Sequence, residues 1–326
     1  MKCLDMSDKD NNYSFYDYHP ALDNFKEDVL ASLSSCPRTL SPKYFYDQEG
    51  SKIFERITCL DDYYPTRCEL SIFAAKADEI ARSTGSNCVL IEPGAGNGDK
   101  ARILIKILNP SIYVPIDISR QHLIEAAQAI AMDCPAVNIA AVCSDFTGEI
   151  QLPGELPQSN RVMFFPGSSI GNFHPDNAVE YLAKLATLAG SHGKLLIGVD
   201  LKKDVDILQR AYDDSEGVTA QFNLNLLVRM NRELSADFDI NTWQHVALYN
   251  EAQGRVEMHL RSLCPQVVTM ADCEFYFEEN EAIHTENSYK YTVDEFKALA
   301  KRAGFNSLNV WLDENKYFSL HLFECS

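Results

Sequence analysis

A short apolar run, Val89-Leu-Ile-Glu-Pro93, breaks into Gly94-Ala-Gly-Asn-Gly-Asp-Lys100, and a helical pattern follows over residues 101–108. A buried strand, a glycine turn and then a helix make the opening of a nucleotide-binding α/β domain. Glycine serves where the backbone must turn tightly and a ligand must come close to it. A dinucleotide site wants Gly-x-Gly-x-x-Gly. Here the glycines alternate as Gly-x-Gly-x-Gly, which argues against that reading.

The rhythm continues downstream. Apolar strands are predicted at 111–117, 137–143, 161–165 and 194–200, alternating with helices at 98–108, 119–132 (Ser119 as N-cap) and 175–188, after a helix at 69–83. Five apolar strands alternating with helices predict a parallel, doubly wound sheet, whose ligands sit beyond the carboxyl ends of the strands. Glu92, Asp117, Asp145, Asn172 and Asp200 all fall at those ends. A helix at 291–304, with Thr292 as N-cap and Gly304 at its end, precedes two last strands near 307–312 and 317–323. The expected core is therefore a seven-stranded, mostly parallel sheet.

Residues 201–288 break the pattern. A helical period begins at Val218, and antiparallel alternation appears at 243–249, 255–261 and 274–277. This segment predicts an α+β insertion after the fifth strand, joined by an N-terminal helix over 21–34. The expected division is a flexible arm at 1–20, a substrate domain from 21–64 and 201–288, and a nucleotide-binding domain from 65–200 and 289–326, with a cleft between the two lobes. Aromatics crowd residues 44–64, where they either pack under the domain or line a pocket.

Charge narrows the partners. With 29 Lys+Arg against 47 Asp+Glu the formal net charge is −18, which disfavours nucleic acid. Ten cysteines, none in a C-x-x-C pair, read as reduced thiols of a cytoplasmic protein. No apolar run is long enough for a membrane span, and the acidic, polar N-terminus does not read as a signal peptide. The histidines show no metal-ligand spacing, so no metal is expected.

Asp117, one strand beyond the glycine turn, suits two charge-assisted hydrogen bonds to ribose hydroxyls. Asp145 and Phe146 offer a carboxylate for an exocyclic amine and a backbone N–H for an adenine ring nitrogen. Aspartates at strand ends also cap helices and form turns. Together with the glycine turn they indicate adenosine. The glycine spacing and the last helix-strand pair select a sulfonium methyl donor over a dinucleotide.

Six separated motifs make a family likeness specific: Tyr44-Phe-Tyr-Asp…Gly50-Ser…Phe54, Tyr63-Tyr-Pro-Thr-Arg67, Glu92-Pro-Gly-Ala-Gly-Asn-Gly-Asp-Lys100, Gly167-Ser-Ser-Ile-Gly-Asn172, Arg210-Ala-Tyr-Asp-Asp214 and Asn231-Arg-Glu-Leu-Ser-Ala-Asp-Phe-Asp239. In these the chain resembles the histidine Nα-methyltransferases of ergothioneine biosynthesis, from about residue 20 to about 323. The resemblance implies a class I (Rossmann-like) S-adenosylmethionine methyltransferase that trimethylates L-histidine to hercynine. Carried over by motif, Gly94, Lys100, Asp117, Asp145 and Phe146 would bind S-adenosylmethionine. Asn172 and Tyr212 would hold the substrate carboxylate. Tyr63, Glu286 and Ser288, with Asn287 between the last two, would surround the imidazole. Met258 would pack beside the ring, and Phe54 and Tyr46 would border the amine. Catalytic roles would fall to Tyr46 and Tyr63, with Tyr46 or a bound water taking the amine proton. The partner would be L-histidine alone, bound to a monomer.

The chain departs from the family's usual residues at Pro93, Asn97-Gly-Asp99, Asn287 and Tyr289. Another amino acid or amine as acceptor, and an adenosine-binding protein without turnover, are the competing readings.

Overall fold

The computed structural model describes residues 12–18 and 25–326. In chain order its elements begin with β1 (Tyr13–Asp17), α1 (Phe25–Leu33), α2 (Gln48–Thr58), α3 (Tyr64–Thr84), β2 (Val89–Pro93), α4 (Asp99–Leu108), β3 (Ile112–Asp117) and α5 (Arg120–Asp133). Next come β4 (Asn138–Cys143), β5 (Arg161–Phe165), α6 (Pro175–Ala189), β6 (Lys194–Asp200), α7 (Val205–Arg210) and α8 (Val218–Leu234). The chain continues through β7 (Trp243–Asn250), β8 (Arg255–Ser262), β9 (Gln266–Met270), β10 (Cys273–Phe277) and β11 (Ala282–Tyr289), and closes with α9 (Val293–Arg302), β12 (Phe305–Leu312) and β13 (Phe318–Cys325).

Two compact units result. The first contains β1, Pro65–Lys202 and Tyr291–Ser326; the second is Ala21–Tyr64 with Lys203–Lys290, described from Phe25 onward.

The first unit is built on one sheet of order β1-β4-β3-β2-β5-β6-β13-β12. Strands β1 to β6 pair in parallel, and β13 joins β6 and β12 antiparallel. Every residue of β2 and of β5 is buried, as a strand covered on both faces requires. Helix α4 turns Ala101, Leu104, Ile105 and Leu108 inward, one face at helical spacing. Each such Leu or Ile contributes roughly 1.5–3 kcal/mol on burial. Strand order reverses at β2, so the ends of β2, β3 and β5 flank the place where such sheets bind ligands.

The sheet has eight strands, one more than the sequence predicts. The extra strand comes from the segment expected to be a loose arm. Tyr13–Asp17 pairs with β4 from Ile139 to Cys143, and the Asn12 amide reaches the Val137 carbonyl at 2.7 Å. Arg120 ties it further, with Nε 3.1 Å from Asp17 and its guanidinium over the Phe15 ring. An edge strand half exposed along its length has no buried face to impose alternation, which is why it has no period to read. The remainder of the expected arm, residues 1–11 and 19–20, lies outside the described residues, as does Leu22 of the first predicted helix.

After β6 the chain leaves this sheet and returns beside its own exit. Tyr291 N–H donates to the Asp200 carbonyl (3.2 Å) and Lys202 N–H to the Tyr291 carbonyl (3.0 Å). Helix α9 then starts with a reciprocal capping box: Glu295 N–H donates to Thr292 Oγ1, and Thr292 N–H to Glu295 Oε2.

The second unit combines α1, α2, α7 and α8 with a three-stranded antiparallel sheet, β11-β8-β7, and the hairpin β9-β10. Strand β11 is absent from the sequence reading, whose last alternating run in this segment ends at 277. Residues 38–40 run along its far edge: Leu40 N–H donates to the His284 carbonyl, and His284 N–H to that of Arg38. Every described cysteine is a free thiol. Among the described residues no helix is long and apolar enough to cross a membrane.

Candidate active site

In the first unit the three turn glycines all adopt positive φ: 72° at Gly94, 54° at Gly96 and 71° at Gly98. L-residues rarely enter this region, so the turn needs glycine on backbone grounds alone. Packing adds a second reason at two positions. A Cβ on Gly98 would stand 2.5 Å from the Ile130 side chain, and one on Gly94 would stand 3.1 Å from the Phe146 ring. A Cβ on Gly96 would meet nothing within 4 Å, so the middle of the turn opens outward.

Backbone and side-chain bonds hold this turn to the end of β3. Gly94 and Ala95 N–H both donate to the Ile116 carbonyl, at 2.7 and 3.1 Å. Asp117 accepts from Gly96 N–H through Oδ2 (3.0 Å) and from Ser119 N–H through Oδ1 (2.8 Å). At the end of β4, Asp145 Oδ1 accepts from the Thr147 amide (2.9 Å) and hydroxyl (2.6 Å). The Phe146 ring packs edge-on against Phe165 and Tyr181. Gly94, Asp117, Asp145 and Phe146 are thus assembled at three consecutive strand ends.

Lys100, in the first turn of α4, is held by a residue to which sequence reasoning gave no role. Its Nζ lies 2.6 Å from Oε2 of Glu69, a fully buried carboxylate on α3. Both Glu69 oxygens also accept from Gly167 N–H, at 3.1 and 3.0 Å. Room for the carboxylate is made by Gly198 on β6, where a Cβ would fall 2.1 Å from Glu69 Oε1. One buried acid therefore anchors both Lys100 and the loop after β5. That loop ends in a 3-10 turn, Ser169–Asn172, whose last residue is half buried.

Glu92, at the end of β2, is buried and accepts a hydrogen bond from the Tyr113 hydroxyl. Burial pushes its carboxyl up to about 8, against the pull of that bond and of the Lys100 charge.

In the second unit the predicted aromatics form a chain of edge-to-face contacts. Ring centroids are 5.6 Å apart for Tyr46–Phe54, 6.3 Å for Phe54–Tyr63 and 6.3 Å for Tyr63–Tyr212. Asp47 fixes the entry to α2 beside Tyr46: it caps the helix at Gly50 N–H (2.7 Å) and accepts from Asn225 (2.9 Å) and Arg232 (2.5 Å).

Tyr212 is buried and meets β11 directly. Its hydroxyl is 2.7 Å from Ser288 Oγ, and Lys290 Nζ donates to both oxygens, at 3.0 Å to Tyr212 and 2.8 Å to Ser288. His245 Nε2 donates to the Tyr212 carbonyl at 2.8 Å while Asn223 donates to Nδ1 at 2.9 Å, which sets one tautomer.

A bulge at Thr285 sets which side chains of β11 face together. The register with β8 shifts between His284 and Glu286, after which Glu286 stands opposite Met258 and Ser288 opposite Val256. Glu286, Ser288 and Lys290 then share one face with Met258, because side chains alternate along a strand. Asn287, expected beside Glu286 and Ser288, is carried by the same pleat to the other face, opposite Glu257. Tyr289 follows it there and accepts from Arg255 Nη1 at 2.6 Å. Two of the chain's departures from the family pattern are therefore turned away from Glu286 and Ser288.

That opposite face holds a polar cluster with no signal in the sequence. Pairing of β8 with β11 sets His259 against His284, rings stacked at 4.8 Å. Ligand atoms of Glu257, His259 and His284 lie within 4.8 Å of one another. Hydrogen bonds account for the group as it stands. Arg255 and Asn250 take Glu257 Oε1, His259 Nε2 donates to Oε2, and His284 Nε2 donates to the Glu286 carbonyl. Burial raises the Glu257 carboxyl, yet these partners together bring it down to about 2.

Comparison with known proteins agrees with this architecture. Residues 25–325 match the family described as histidine-specific methyltransferase, SAM-dependent. The chain is 39% identical over 309 residues to the histidine N-alpha-methyltransferase of Mycolicibacterium smegmatis, covering 93% of this chain and 95% of that one. It is 40% identical over 304 residues to the histidine N-alpha-methyltransferase of Mycobacterium tuberculosis, covering 91% and 94%. It is also 30% identical over 295 residues to ergothioneine biosynthesis protein 1 of Neurospora crassa, where it covers 88% of this chain and 33% of that longer protein. With its strand-end glycine turn, its inserted second unit and a match over nearly its whole length, the chain belongs to the S-adenosylmethionine-dependent, histidine-specific methyltransferase family.

Proposed function

We propose that this enzyme transfers methyl groups in succession to the α-amine of L-histidine, giving hercynine as in ergothioneine biosynthesis. The observation that carries the acceptor's identity is the shared face of β11 and β8. It gathers a carboxylate (Glu286), a hydroxyl hydrogen-bonded to a tyrosine (Ser288 with Tyr212) and an apolar side chain (Met258). A flat ring with two nitrogens suits a carboxylate and a hydroxyl at its edge and an apolar surface beside it. An acceptor without those nitrogens would forgo a charge-assisted hydrogen bond to Glu286, worth about 1.5–3 kcal/mol.

Bound S-adenosylmethionine supplies an electrophilic methyl on sulfonium. The residues present fit it: Gly96 leaves the turn open, Asp117 offers carboxylate oxygens for ribose hydroxyls, and Asp145 with the Phe146 amide suits adenine. Gly94 and Lys100 complete this set. For the acceptor, Tyr212 donates to the carboxylate, Glu286 and Ser288 bind the imidazole, and Tyr63 and Phe54 supply aromatic walls. The amine lone pair forms the N–C bond as the C–S bond breaks, and no covalent enzyme intermediate is needed. Holding the reacting atoms in line is the protein's main contribution. Each transfer also requires the ammonium to lose a proton: Tyr46 accepts a hydrogen bond from one N–H and orients the amine, while water takes the proton from another and passes it to solvent. Aromatic faces favour the growing ammonium cation.

Purified enzyme incubated with S-adenosylmethionine and L-histidine should yield mono-, di- and trimethylated histidine by mass spectrometry. Absence of any added methyl mass would sink the proposal, and methylation of a different amino acid would transfer it to that substrate. The same reading has the enzyme acting as a cytoplasmic monomer without nucleic acid or membrane partners. Light scattering that gives a dimer mass would correct the oligomeric state.

A further inference from the structure

Strands β8 and β11 bring two histidines and a carboxylate together on the face turned away from Glu286 and Ser288. Glu257 and His259 alternate along β8 and so share that face, and His284 on β11 stands directly opposite His259. One ligand atom from each of the three lies within 4.8 Å of the other two. Linear spacing, from which no metal is expected, could not show this set, because its members come from two strands.

The hydrogen bonds already present prepare these groups as ligands. Glu257 gives Oε1 to Arg255 Nε (2.7 Å) and to the Asn250 amide (3.0 Å), and turns Oε2 to His259 Nε2 at 3.1 Å. His284 donates from Nε2 to the Glu286 carbonyl at 2.9 Å, so the neutral ring keeps its other nitrogen bare. Burial holds His284 below its ordinary pKa, in favour of that neutral ring. Metal-bound histidines usually spend their second nitrogen on a carbonyl or carboxylate in this way. A second observation comes from Asn287, which stands opposite Glu257 on the same face. Its Oδ1 is buried and accepts no hydrogen bond among the described residues.

We propose that Glu257, His259 and His284 bind one divalent transition-metal cation, of the zinc class, which clips β8 to β11. Two imidazoles and one carboxylate suit Zn2+, whereas Mg2+ and Ca2+ prefer all-oxygen sets. Zinc bonds of about 2.0–2.2 Å set tetrahedral ligand atoms ~3.4 Å apart. Glu257 Oε2 and His259 Nε2 are already close to that separation. The widest pair has to draw in by at most roughly 1.5 Å, which rotation of the part-buried rings supplies. On binding, the His259 proton passes from Nε2 to Nδ1 through solvent, and Nε2 turns to the ion beside Oε2. Water takes the fourth position, reached past the His259 side chain at 18% exposure, and is the donor that Asn287 Oδ1 lacks. The clip crosses the strand pair just before the bulge at Thr285, and it acts on the stability of the second unit. Nothing in it depends on which acceptor is methylated.

Metal-stripped enzyme without an affinity tag is titrated with zinc chloride in the absence of histidine, and with cobalt as a spectroscopic probe. One equivalent should bind saturably. Cobalt should give d–d absorption without the near-ultraviolet band of thiolate ligation, which separates this site from the free cysteines. His259→Ala and His284→Ala should each weaken zinc at least about 100-fold. The melting midpoint should rise with free zinc in the wild type and stay constant in both variants. His259→Gln and His284→Gln, nearer in size, carry the same test if an alanine variant loses its native circular dichroism. No zinc uptake by the wild type, a thiolate band with cobalt, or zinc binding that survives loss of either histidine overturns the proposal.

Discussion

In the proposed function the two units meet their ligands with different parts of the chain. In the first, the turn from Gly94 to Gly98 presents backbone, and a few acids at strand ends hold that backbone in place. In the second, the groups proposed to meet the acceptor are side chains on one face of an antiparallel sheet, selected by a bulge and bonded to one another across long sequence separations. One buried acid in each unit shows a second difference. Glu92 has the Tyr113 hydroxyl as its hydrogen-bond donor, and burial pushes it up to about 8; Glu257 has Arg255, Asn250 and His259, and is held down to about 2. Partners decide the difference: one hydroxyl does not offset the burial of Glu92, whereas a guanidinium, an amide and an imidazole together offset that of Glu257.

The largest effect that would break this contrast is steric. Gly198→Ala places a methyl 2.1 Å from Glu69 Oε1 and 2.9 Å from the Phe318 ring. It should cost roughly 3 kcal/mol of stability, read from denaturant unfolding, and should loosen Lys100 at the same time. A loss below about 1 kcal/mol would mean that Glu69 moves freely and anchors nothing.

Next comes a matched pair of substitutions. Asp117→Ala should weaken S-adenosylhomocysteine by about 100-fold, since ribose hydroxyls lose charge-assisted partners. Glu286→Ala should weaken histidine by about 10- to 100-fold and leave the cofactor analogue alone. Calorimetric titration of each variant with each ligand checks both. Were Glu286→Ala to weaken both ligands equally, the carboxylate would be structural.

The buried acids predict pH effects of opposite sign. Glu92 rises from 4.5 on folding, so the stability of its protonated form is complete below pH 4.5 and is lost as pH climbs through about 8. Glu257 falls from 4.5, so its contribution is complete above that value and is lost as pH drops toward about 2. Glu92→Gln should therefore flatten the alkaline side of the stability profile, and Glu257→Gln the acid side. Unfolding midpoints across the pH range test the pair, and slopes of the same sign for both would refute the contrast.

The smallest effect is expected at Asn287. Asn287→Ala should change histidine KM by less than about threefold, because the side chain faces Glu257 and away from Glu286 and Ser288. A large change would place it with them after all.

Much of the first unit was legible in the sequence. The apolar run ending in Glu92, the alternating glycines, the helical spacing of Ala101, Leu104, Ile105 and Leu108, and the Thr292 cap are local patterns, and each became the element it predicted. The resemblance in six motifs pointed to the family that the whole-length match then identified.

Other features had no local signature. The strand at Tyr13–Asp17 is defined by its pairing with β4, and Glu69 lies 98 residues from the glycine whose amide it accepts. His259 and His284 meet only because β8 and β11 pair. Lys290 looks like one more residue after Ser288 until β11 is built and its ammonium is seen to join two hydroxyls.

By itself the sequence determined the glycine turn between β2 and α4, since periodicity and glycine placement act over a few residues of backbone. Tertiary structure decided which face Glu286, Asn287 and Ser288 occupy, and what Lys290 holds. A one-residue bulge reverses every side chain beyond it, and that reversal depends on a partner strand the local sequence does not contain.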